Sequence, residues 1–199
     1  MVVVKQREQF LIGIDEAGRG PLAGPVVVGG VKIRSAVLAG LPPIRDSKKL
    51  TAKERENWFI WLKKENKNGN LFFAFSLAGH RLIDRRGIVY CLDLAVSRIL
   101  QKIPVKQADK ILLDGNLRAP AGYKNQQTII RGDETEGAIA LASIVAKVTR
   151  DRLMTRLDKK YPPYGFATHK GYATENHYLA LLQYGRSAIH RRSFTRFLD

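Results

Sequence analysis

Cysteine, acidic residues and long apolar runs are all scarce in this sequence, and each scarcity excludes a class of protein. Cys91 is the single cysteine among 199 residues, so an internal disulfide framework is impossible. No apolar stretch approaches the roughly 18 residues that a membrane-spanning helix needs. The first residues carry no basic leader ahead of a long apolar region, so they do not predict a secretory signal. We therefore expect a cytoplasmic protein that is not inserted in a membrane.

The shortage of acidic residues leaves a large positive charge. Lysine and arginine number 34 against 18 aspartates and glutamates, which gives a formal net charge of +16. Such an excess is typical of proteins that neutralise the phosphates of nucleic acids. Binding to a membrane surface is the alternative, but the sequence shows neither a strongly basic amphipathic helix with a bulky apolar face nor a lipidation signal. The charge therefore favours a nucleic-acid partner.

Apolar spacings predict a mixed α/β sheet flanked by helices. The first two strands follow each other closely, and we expect them to pair antiparallel. Gly29 and Gly30 interrupt the second strand and are compatible with a bulge. Thr51 and Glu54 form a capping box, which predicts the start of a helix. The predicted strands begin near Phe10 and cover 26–33, 71–76, 110–115 and 127–131, and the predicted helices cover 51–66, a segment around 88–100, a long segment after Gly132-Asp133, and 175–183.

Two adjacent carboxylates, Asp15 and Glu16, end the first apolar run directly before Gly18-Arg19-Gly20. Each carboxylate raises the pKa of the other unless a cation neutralises the pair. The glycines let a ligand approach the backbone closely, and Arg19 adds positive charge. The glycine spacing does not fit the dinucleotide-binding fingerprint. The segment therefore predicts a site for a divalent cation and a phosphate-bearing ligand, with a solvated turn as the alternative.

Asp114 and Asp133 also lie at the end of a predicted strand or at a strand-to-helix junction, so one sheet edge could gather them with Asp15 and Glu16. Hard ions such as Mg²⁺ or Mn²⁺ prefer oxygen ligands, and two ions about 3.5–4 Å apart can stabilise both oxygens of a phosphodiester displacement. A turn at Asp114 and a helix cap at Asp133 are the alternatives. Zinc binding and serine-type hydrolysis are disfavoured, because the histidines have no close pair and no nucleophile elbow is present.

A series of short motifs extends over nearly the whole chain. It comprises Ile14-Asp15-Glu16-Ala17-Gly18-Arg19-Gly20-Pro21 with Ala23-Gly24-Pro25-Val26, Asp46-Ser47-Lys48-Lys49-Leu50, Leu113-Asp114-Gly115, Gly132-Asp133, the run from Ala142 to Asp151, Tyr164-Gly165-Phe166, His169-Lys170-Gly171-Tyr172 and His190-Arg191-Arg192-Ser193-Phe194. In residue type and order these motifs closely resemble bacterial ribonuclease HII. The resemblance implies a ribonuclease H-like fold with a small helical C-terminal segment. We expect residues 1–160 to form the catalytic core and residues 161–199 a substrate-contacting segment of the same domain, in a monomer.

The resemblance also implies an activity. Ribonucleases HII are metal-dependent endonucleases that cut the RNA strand of RNA–DNA hybrids and single ribonucleotides embedded in duplex DNA. They cut 5′ to the ribonucleotide and leave a 3′-hydroxyl and a 5′-phosphate. By motif match, the catalytic, metal-binding acids are Asp15, Glu16, Asp114 and Asp133.

Substrate contacts follow from the same resemblance. Gly18-Arg19-Gly20 would read the 2′-hydroxyl, which DNA lacks, and hold the flanking phosphate. Tyr172 would pack against the sugar at the RNA–DNA junction, although an ordinary aromatic is the alternative. The candidate phosphate contacts are Lys48, Lys49, Lys147 and Arg150. A solvated helix face is the alternative for Lys147 and Arg150.

Two positions depart from the family pattern, and two other functions remain open. Arg85-Arg86-Gly87 replaces a more polar helix start, and Ala173 follows Tyr172 where glycine is usual. A non-catalytic nucleic-acid-binding module would carry the same charge but would show no turnover. A nuclease of the same fold with another substrate would cut pure DNA as readily as a hybrid.

Overall fold

A computed structural model describes residues 10–44 and 47–199, and within these ranges the chain forms one five-stranded mixed sheet in the order β3-β2-β1-β4-β5. The first three strands pair antiparallel, whereas β4 lies parallel to β1, and β5 lies parallel to β4. The predicted mixed sheet with an antiparallel start is confirmed. The strands are β1 (Phe10–Ala17), β2 (Val26–Arg34), β3 (Leu71–Ala78), β4 (Lys110–Asp114) and β5 (Gln126–Ile129).

Helices cover both faces of the sheet. The capping box at Thr51 is present, because its side chain accepts a hydrogen bond from the Glu54 amide and the Glu54 side chain accepts one from the Thr51 amide. Among the described residues, no helix is long and apolar enough to cross a bilayer. The helices are α1 (Ser35–Ala39), α2 (Ala52–Lys67), α3 (His80–Lys102), α4 (Gly132–Thr135), α5 (Gly137–Asp158), α6 (Phe166–His169) and α7 (Glu175–Tyr184).

The second strand is regular and contains no bulge at its glycine pair, although the sequence was compatible with one. Its register with β1 and with β3 runs without interruption past Gly29 and Gly30. These glycines serve packing instead, because an added Cβ at Gly29 would overlap the Ala142 carbonyl of α5, and one at Gly30 would overlap Ile99 of α3. The missing side chains let both helices approach the sheet closely.

The long helix expected after Gly132-Asp133 is present as α5, but a separate turn precedes it. Residues 132–135 form the single turn α4, and Glu136 then adopts an extended conformation before α5 begins. Arg131, which was expected in the last strand, has left-handed backbone angles of φ 55° and ψ 39° and precedes α4. This short turn fixes the position of Asp133, as described below.

The core has two layers and an extension. Even-numbered residues of β1 and β2 such as Ile12 and Val28 pack with α3, together with Ile111 and Leu113 of β4, whereas odd-numbered residues of β2 such as Val31 pack with α2 and α5. A third cluster joins Leu22 and Met154 to the aromatic and aliphatic side chains of residues 161–199. The division of the chain at residue 160 stays a prediction.

Several strands end at the same edge of the sheet. The carboxyl end of β1 at Ala17 pairs with Val27 of β2, and Val27 pairs with Leu77 near the carboxyl end of β3. Strand β4 ends at the same edge because it runs parallel to β1. This edge therefore brings together the residues that follow three different strands.

Candidate functional site

Three of the four predicted acids meet at this edge. Ile14 and Leu113 are paired residues of the parallel strands β1 and β4, so Asp15 and Asp114 occupy the next position of each strand on the same face. Glu16 lies on the opposite face but at the end of its strand. One carboxylate oxygen of each acid lies within 4.8 Å of the other two.

Burial and mutual repulsion raise the pKa values of the three carboxyl groups. Burial, followed by the charges of Glu16 and Asp114, raises the pKa of Asp15 well above its usual value. Burial is also the main cause that raises the pKa of Glu16 and of Asp114. Hard oxygen donors at this spacing suit a divalent cation, which would remove the repulsion. The three acids therefore fit a Mg²⁺ or Mn²⁺ ion chemically.

Asp133 lies beside the three acids rather than among them. Its Oδ2 accepts a hydrogen bond from Lys48 Nζ at 3.1 Å, and its side chain is 5% exposed. The amides of Gly132 and Asp133 donate to Asp114 Oδ1 at 2.7 and 3.4 Å. Asp133 is close enough to raise the pKa of Asp15 and of Asp114. Turn α4 thus orients Asp114, and a metal-binding role for Asp133 itself stays a prediction.

The Gly18-Arg19-Gly20 segment forms a loop that packs against the buried side chain of Arg150. Gly18 has φ 92°, and an added Cβ would overlap the guanidinium of Arg150. No atom lies within 4 Å of a Cβ placed on Gly20, so this glycine is the one that leaves the backbone open to a ligand. Arg19 is half-exposed and lies 3.5 Å from Glu16 Oε1.

Arg150 does not occupy the surface position expected of a phosphate contact. It is 1% exposed, and its guanidinium donates to the carbonyls of Pro25 and Ala23 at 3.0 and 3.3 Å. This burial contradicts the predicted phosphate contact, because the bonded groups lie within the protein. The guanidinium lies 5.5 Å from the ring centroid of Tyr172, which is 42% exposed. Arg150 therefore supports Tyr172 from within.

The three candidate lysines each lie near a carboxylate. Lys48 is paired with Asp133, Lys49 lies 3.5 Å from Glu134, and Lys147 lies 3.0 Å from Asp151. Asp46 of the lysine-bearing motif lies outside the described residues.

Most of the predicted site residues line one cleft of about 520 Å³. The lining residues are Asp15, Glu16, Ala17, Gly18, Arg19, Gly20, Ser47, Lys48, Arg55, Asp114, Ser143, Lys147 and Tyr172.

Arg191 is a supporting residue that the sequence did not single out as part of the site. Its buried guanidinium donates to the carbonyls of Gly18, Arg19 and Gly24 at 2.6, 2.8 and 2.9 Å. Burial and the nearby charge of Arg150 lower the pKa of Arg191 to about 9. Its place in the C-terminal motif was the available signal, but the position alone did not separate a buried arginine from a solvated one.

Three histidines within residues 161–199 support the segment that carries Tyr172. His177 Nδ1 lies 2.8 Å from the Tyr172 carbonyl, and its Nε2 lies 2.9 Å from His190 Nε2. His169 Nδ1 accepts a hydrogen bond from the Gly171 amide at 3.1 Å. Because a carbonyl can only accept, His177 is protonated at Nδ1 and accepts at Nε2 from His190. No local spacing in the sequence indicated this cluster.

Comparisons of sequence and of structure point to one family. The family model described as Ribonuclease HII matches residues 12–197. A ribonuclease HII of Coxiella burnetii is 41% identical over 185 residues, which cover 93% of this chain and 88% of that protein. One from Endomicrobium trichonymphae is 43% identical over 187 residues, covering 94% and 86%. The crystal structure of ribonuclease H2 from Pyrococcus horikoshii superposes with a TM-score of 0.73 at 28% identity and covers 94% of each chain.

Proposed function

We infer the reaction of this protein from its membership of the ribonuclease HII family: it is a type 2 ribonuclease H, a hydrolase that acts on RNA in RNA–DNA hybrids. We propose further that it cuts single ribonucleotides embedded in duplex DNA as well as longer hybrids. The cut would fall 5′ to the ribonucleotide and leave a 3′-hydroxyl and a 5′-phosphate.

The convergence of Asp15, Glu16 and Asp114 within 4.8 Å is the observation that carries this proposal. These three acids would hold Mg²⁺ or Mn²⁺, with Asp133 beside them. When bound, a divalent ion supplies positive charge that stabilises the charge developing on the phosphoryl group. Lys48 keeps the carboxylate of Asp133 in place, and the amides of α4 keep Asp114 directed towards the other two acids.

The loop beside the acids would recognise the ribonucleotide. The open backbone at Gly20 allows close approach, and the half-exposed Arg19 can meet a phosphate without leaving the cleft. Tyr172 presents an exposed ring for packing against a sugar. A 2′-hydroxyl is a hydrogen-bonding group that DNA lacks, so contacts with it separate the two substrates. Lys48 and Lys147 line the same cleft and would contact phosphates, with Lys49 next to them.

The direct test is cleavage of a DNA duplex that contains one ribonucleotide. We expect product with Mg²⁺ or Mn²⁺, none with a chelator, and a loss of at least a thousandfold in kcat for Asp114→Asn. Asp93→Asn is the matched control, because Asp93 is an exposed carboxylate of α3. Mapping the product ends decides the position of the cut. Activity that survives chelation or the Asp114 substitution would refute the metal mechanism.

Arg19→Ala tests recognition separately from chemistry. We expect the variant to lose its preference for ribonucleotide-containing strands, measured as the ratio of kcat/KM for hybrid and RNA-free duplexes. An unchanged ratio would contradict a role for this loop in reading the 2′-hydroxyl. Wild-type protein that cuts pure DNA equally well would instead support a different nuclease of the same fold, and binding without turnover would support a non-catalytic module.

We also propose that the protein acts as a monomer. One chain supplies both the three acids and the residues proposed to recognise the ribonucleotide, and they line a single cleft. Light scattering on the active fraction should give the mass of one chain, 22.4 kDa. A dimeric mass for the active fraction would contradict this expectation.

A further inference from the structure

A second cavity lies between the start of α3, the end of α7 and the C-terminal residues. It measures about 860 Å³, which is larger than the cleft at the acids. Its lining includes four arginines, Arg81, Arg85, Arg186 and Arg192, and the single carboxylate Asp84. We refer to the cavity lined by these residues as the arginine groove.

The charge of the arginine groove is poorly compensated. Asp84 Oδ1 accepts hydrogen bonds from the amide and hydroxyl of Ser193 at 2.9 and 2.6 Å, and its Oδ2 accepts one from the Arg192 amide at 3.0 Å. These bonds direct Asp84 towards the backbone of the C-terminal turn rather than towards a guanidinium. Arg186 is paired with Asp199 at 2.7 Å. Within the described ranges, no ion pair is found for the exposed side chains of Arg81, Arg85 and Arg192.

Arg81 and Arg85 are four residues apart on α3, so their side chains lie on one face of the helix. Arg192 faces the same cavity from the C-terminal segment. Several uncompensated guanidinium groups around one cavity repel one another unless an anion lies between them. Planar guanidinium groups match the oxygens of a phosphate in a two-pronged geometry. The arginine groove is therefore suited to phosphate groups.

The groove lies at the same sheet edge as the acids. Leu77 near the end of β3 is two strands away from Ala17 at the end of β1, which corresponds to about 10 Å at the usual strand spacing. The two regions also share a support, because Arg191 holds the Gly18 and Arg19 carbonyls and the next residue, Arg192, lines the groove. For a duplex whose axis crosses the strands, a rise of about 3.4 Å per base pair would put the near end of the groove about three base pairs from the acids.

We propose that the arginine groove binds phosphates of the substrate duplex several base pairs away from the cleavage position. This inference rests on the proposed function, since it assumes that the duplex lies over the acids. It assigns Arg81, Arg85 and Arg192 to substrate binding, although they are remote from the chemistry. The groove would hold the duplex against the sheet edge and give the enzyme a footprint longer than the ribonucleotide.

The test compares duplexes of different length. One duplex carries the ribonucleotide with about twelve base pairs on each side, and two others keep only about two base pairs on one side or on the other. For Arg81→Ala/Arg85→Ala we expect the Kd for the full duplex to rise about tenfold at physiological salt. The slope of log affinity against log salt should weaken by about 1.8, since each lost phosphate contact accounts for about 0.9. Arg192→Ala should act in the same direction by about half as much.

Truncation distinguishes the groove from a general effect of charge. The loss caused by the double variant should be at least fivefold larger on the full duplex than on the duplex shortened at the groove side. Arg98→Ala is the matched control, because Arg98 is exposed on α3 beyond the break in helical geometry at Gly87 and does not line the groove. Its Kd should stay within twofold of wild type. Because all three groove arginines are exposed, we expect each variant to fold, and thermal unfolding verifies this.

Two results would overturn the proposal. One is an unchanged Kd and salt slope for the double variant on the full duplex, and the other is an equal loss on all three duplexes. Binding is measured by fluorescence anisotropy without divalent ions, so it does not depend on catalysis. If the wild-type protein fails to cleave any of these duplexes, the proposed function fails, while the anisotropy comparison still decides whether the groove binds nucleic acid.

Discussion

Removing one charge from the acidic cluster should stabilise the metal-free protein while abolishing its response to metal. The change is Asp114→Asn, which keeps the Oδ1 acceptor for the Gly132 amide at 2.7 Å but removes the negative charge. One oxygen of each acid lies within 4.8 Å of the others, and at that limiting separation Coulomb's law gives about 3.5 kcal/mol of repulsion at an effective dielectric constant of about 20. Solvent at the half-exposed Asp114 and partial protonation reduce this value considerably.

We therefore expect the free energy of unfolding to rise by about 1 kcal/mol in the presence of a chelator. For a chain of this size, that change raises Tm by about 2–4 °C. A divalent ion at about one hundred times its Kd should stabilise the wild-type protein by about 2.7 kcal/mol. The corresponding rise in Tm is about 5–11 °C. The variant should show less than half of this rise, because one of three ligands has lost its charge.

Differential scanning calorimetry with chelator and with a Mn²⁺ titration measures both effects. The exposed Asp93→Asn control should change Tm by less than 1 °C in chelator and keep the full Mn²⁺ response. The reasoning is wrong if Asp114→Asn lowers Tm in chelator, since repulsion would then not dominate this site. It is also wrong if the Mn²⁺ response of the variant equals that of the wild type, since Asp114 would then not contribute to metal binding.

Three further predictions concern the residues that support the site. Burial lowers the pKa of His177 and lowers that of His190 to about 4, so the unfolded chain binds more protons than the folded chain between pH 6.5 and 4. In urea titrations the wild type should therefore lose about 2 kcal/mol more free energy of unfolding than His190→Asn when the pH falls from 7.5 to 5. Equal losses for the two proteins would contradict this prediction. Arg191→Ala leaves three carbonyls without their donor and should lower the free energy of unfolding by at least 3 kcal/mol, whereas a loss below 1 kcal/mol in the same titration would argue against its supporting role. Gly18→Ala should lower the free energy of unfolding by about 1–3 kcal/mol because of the positive φ and the overlap with a buried side chain. Gly20→Ala should leave the free energy of unfolding unchanged and raise KM for the ribonucleotide duplex. Equal stabilities for the two variants would refute these different roles of the two glycines.

Local patterns explain why the elements of this fold could be predicted well. The capping box at Thr51 depends on two residues three positions apart, and its prediction is confirmed. Continuous apolar runs predicted the central strands because each of them contacts a helix layer on both faces. The same patterns were unable to separate a bulge from a packing contact at Gly29, since both require a missing side chain and only the position of α5 distinguishes them.

Some residues of the candidate site could likewise be predicted from the sequence, and others could not. Asp15 and Asp114 could be placed together from the sequence because carboxylates at the ends of parallel neighbouring strands meet at one edge. Arg150 was misjudged because its partners, the carbonyls of Ala23 and Pro25, lie more than 120 residues away in the chain. A basic residue on a helix has the same local pattern whether its guanidinium contacts solvent or buried backbone.

The sequence by itself determined the kinds of strand and helix, the positions of the acids at strand ends and the large positive charge, because each of these depends on residue type and short-range spacing. The tertiary structure alone decided which arginines are buried supports and which remain exposed around the arginine groove. It also decided that three histidines with no regular spacing in the sequence meet at the segment that carries Tyr172. The physical reason is that burial and hydrogen-bond partnership depend on which distant segments pack together, and local spacing carries no record of that packing.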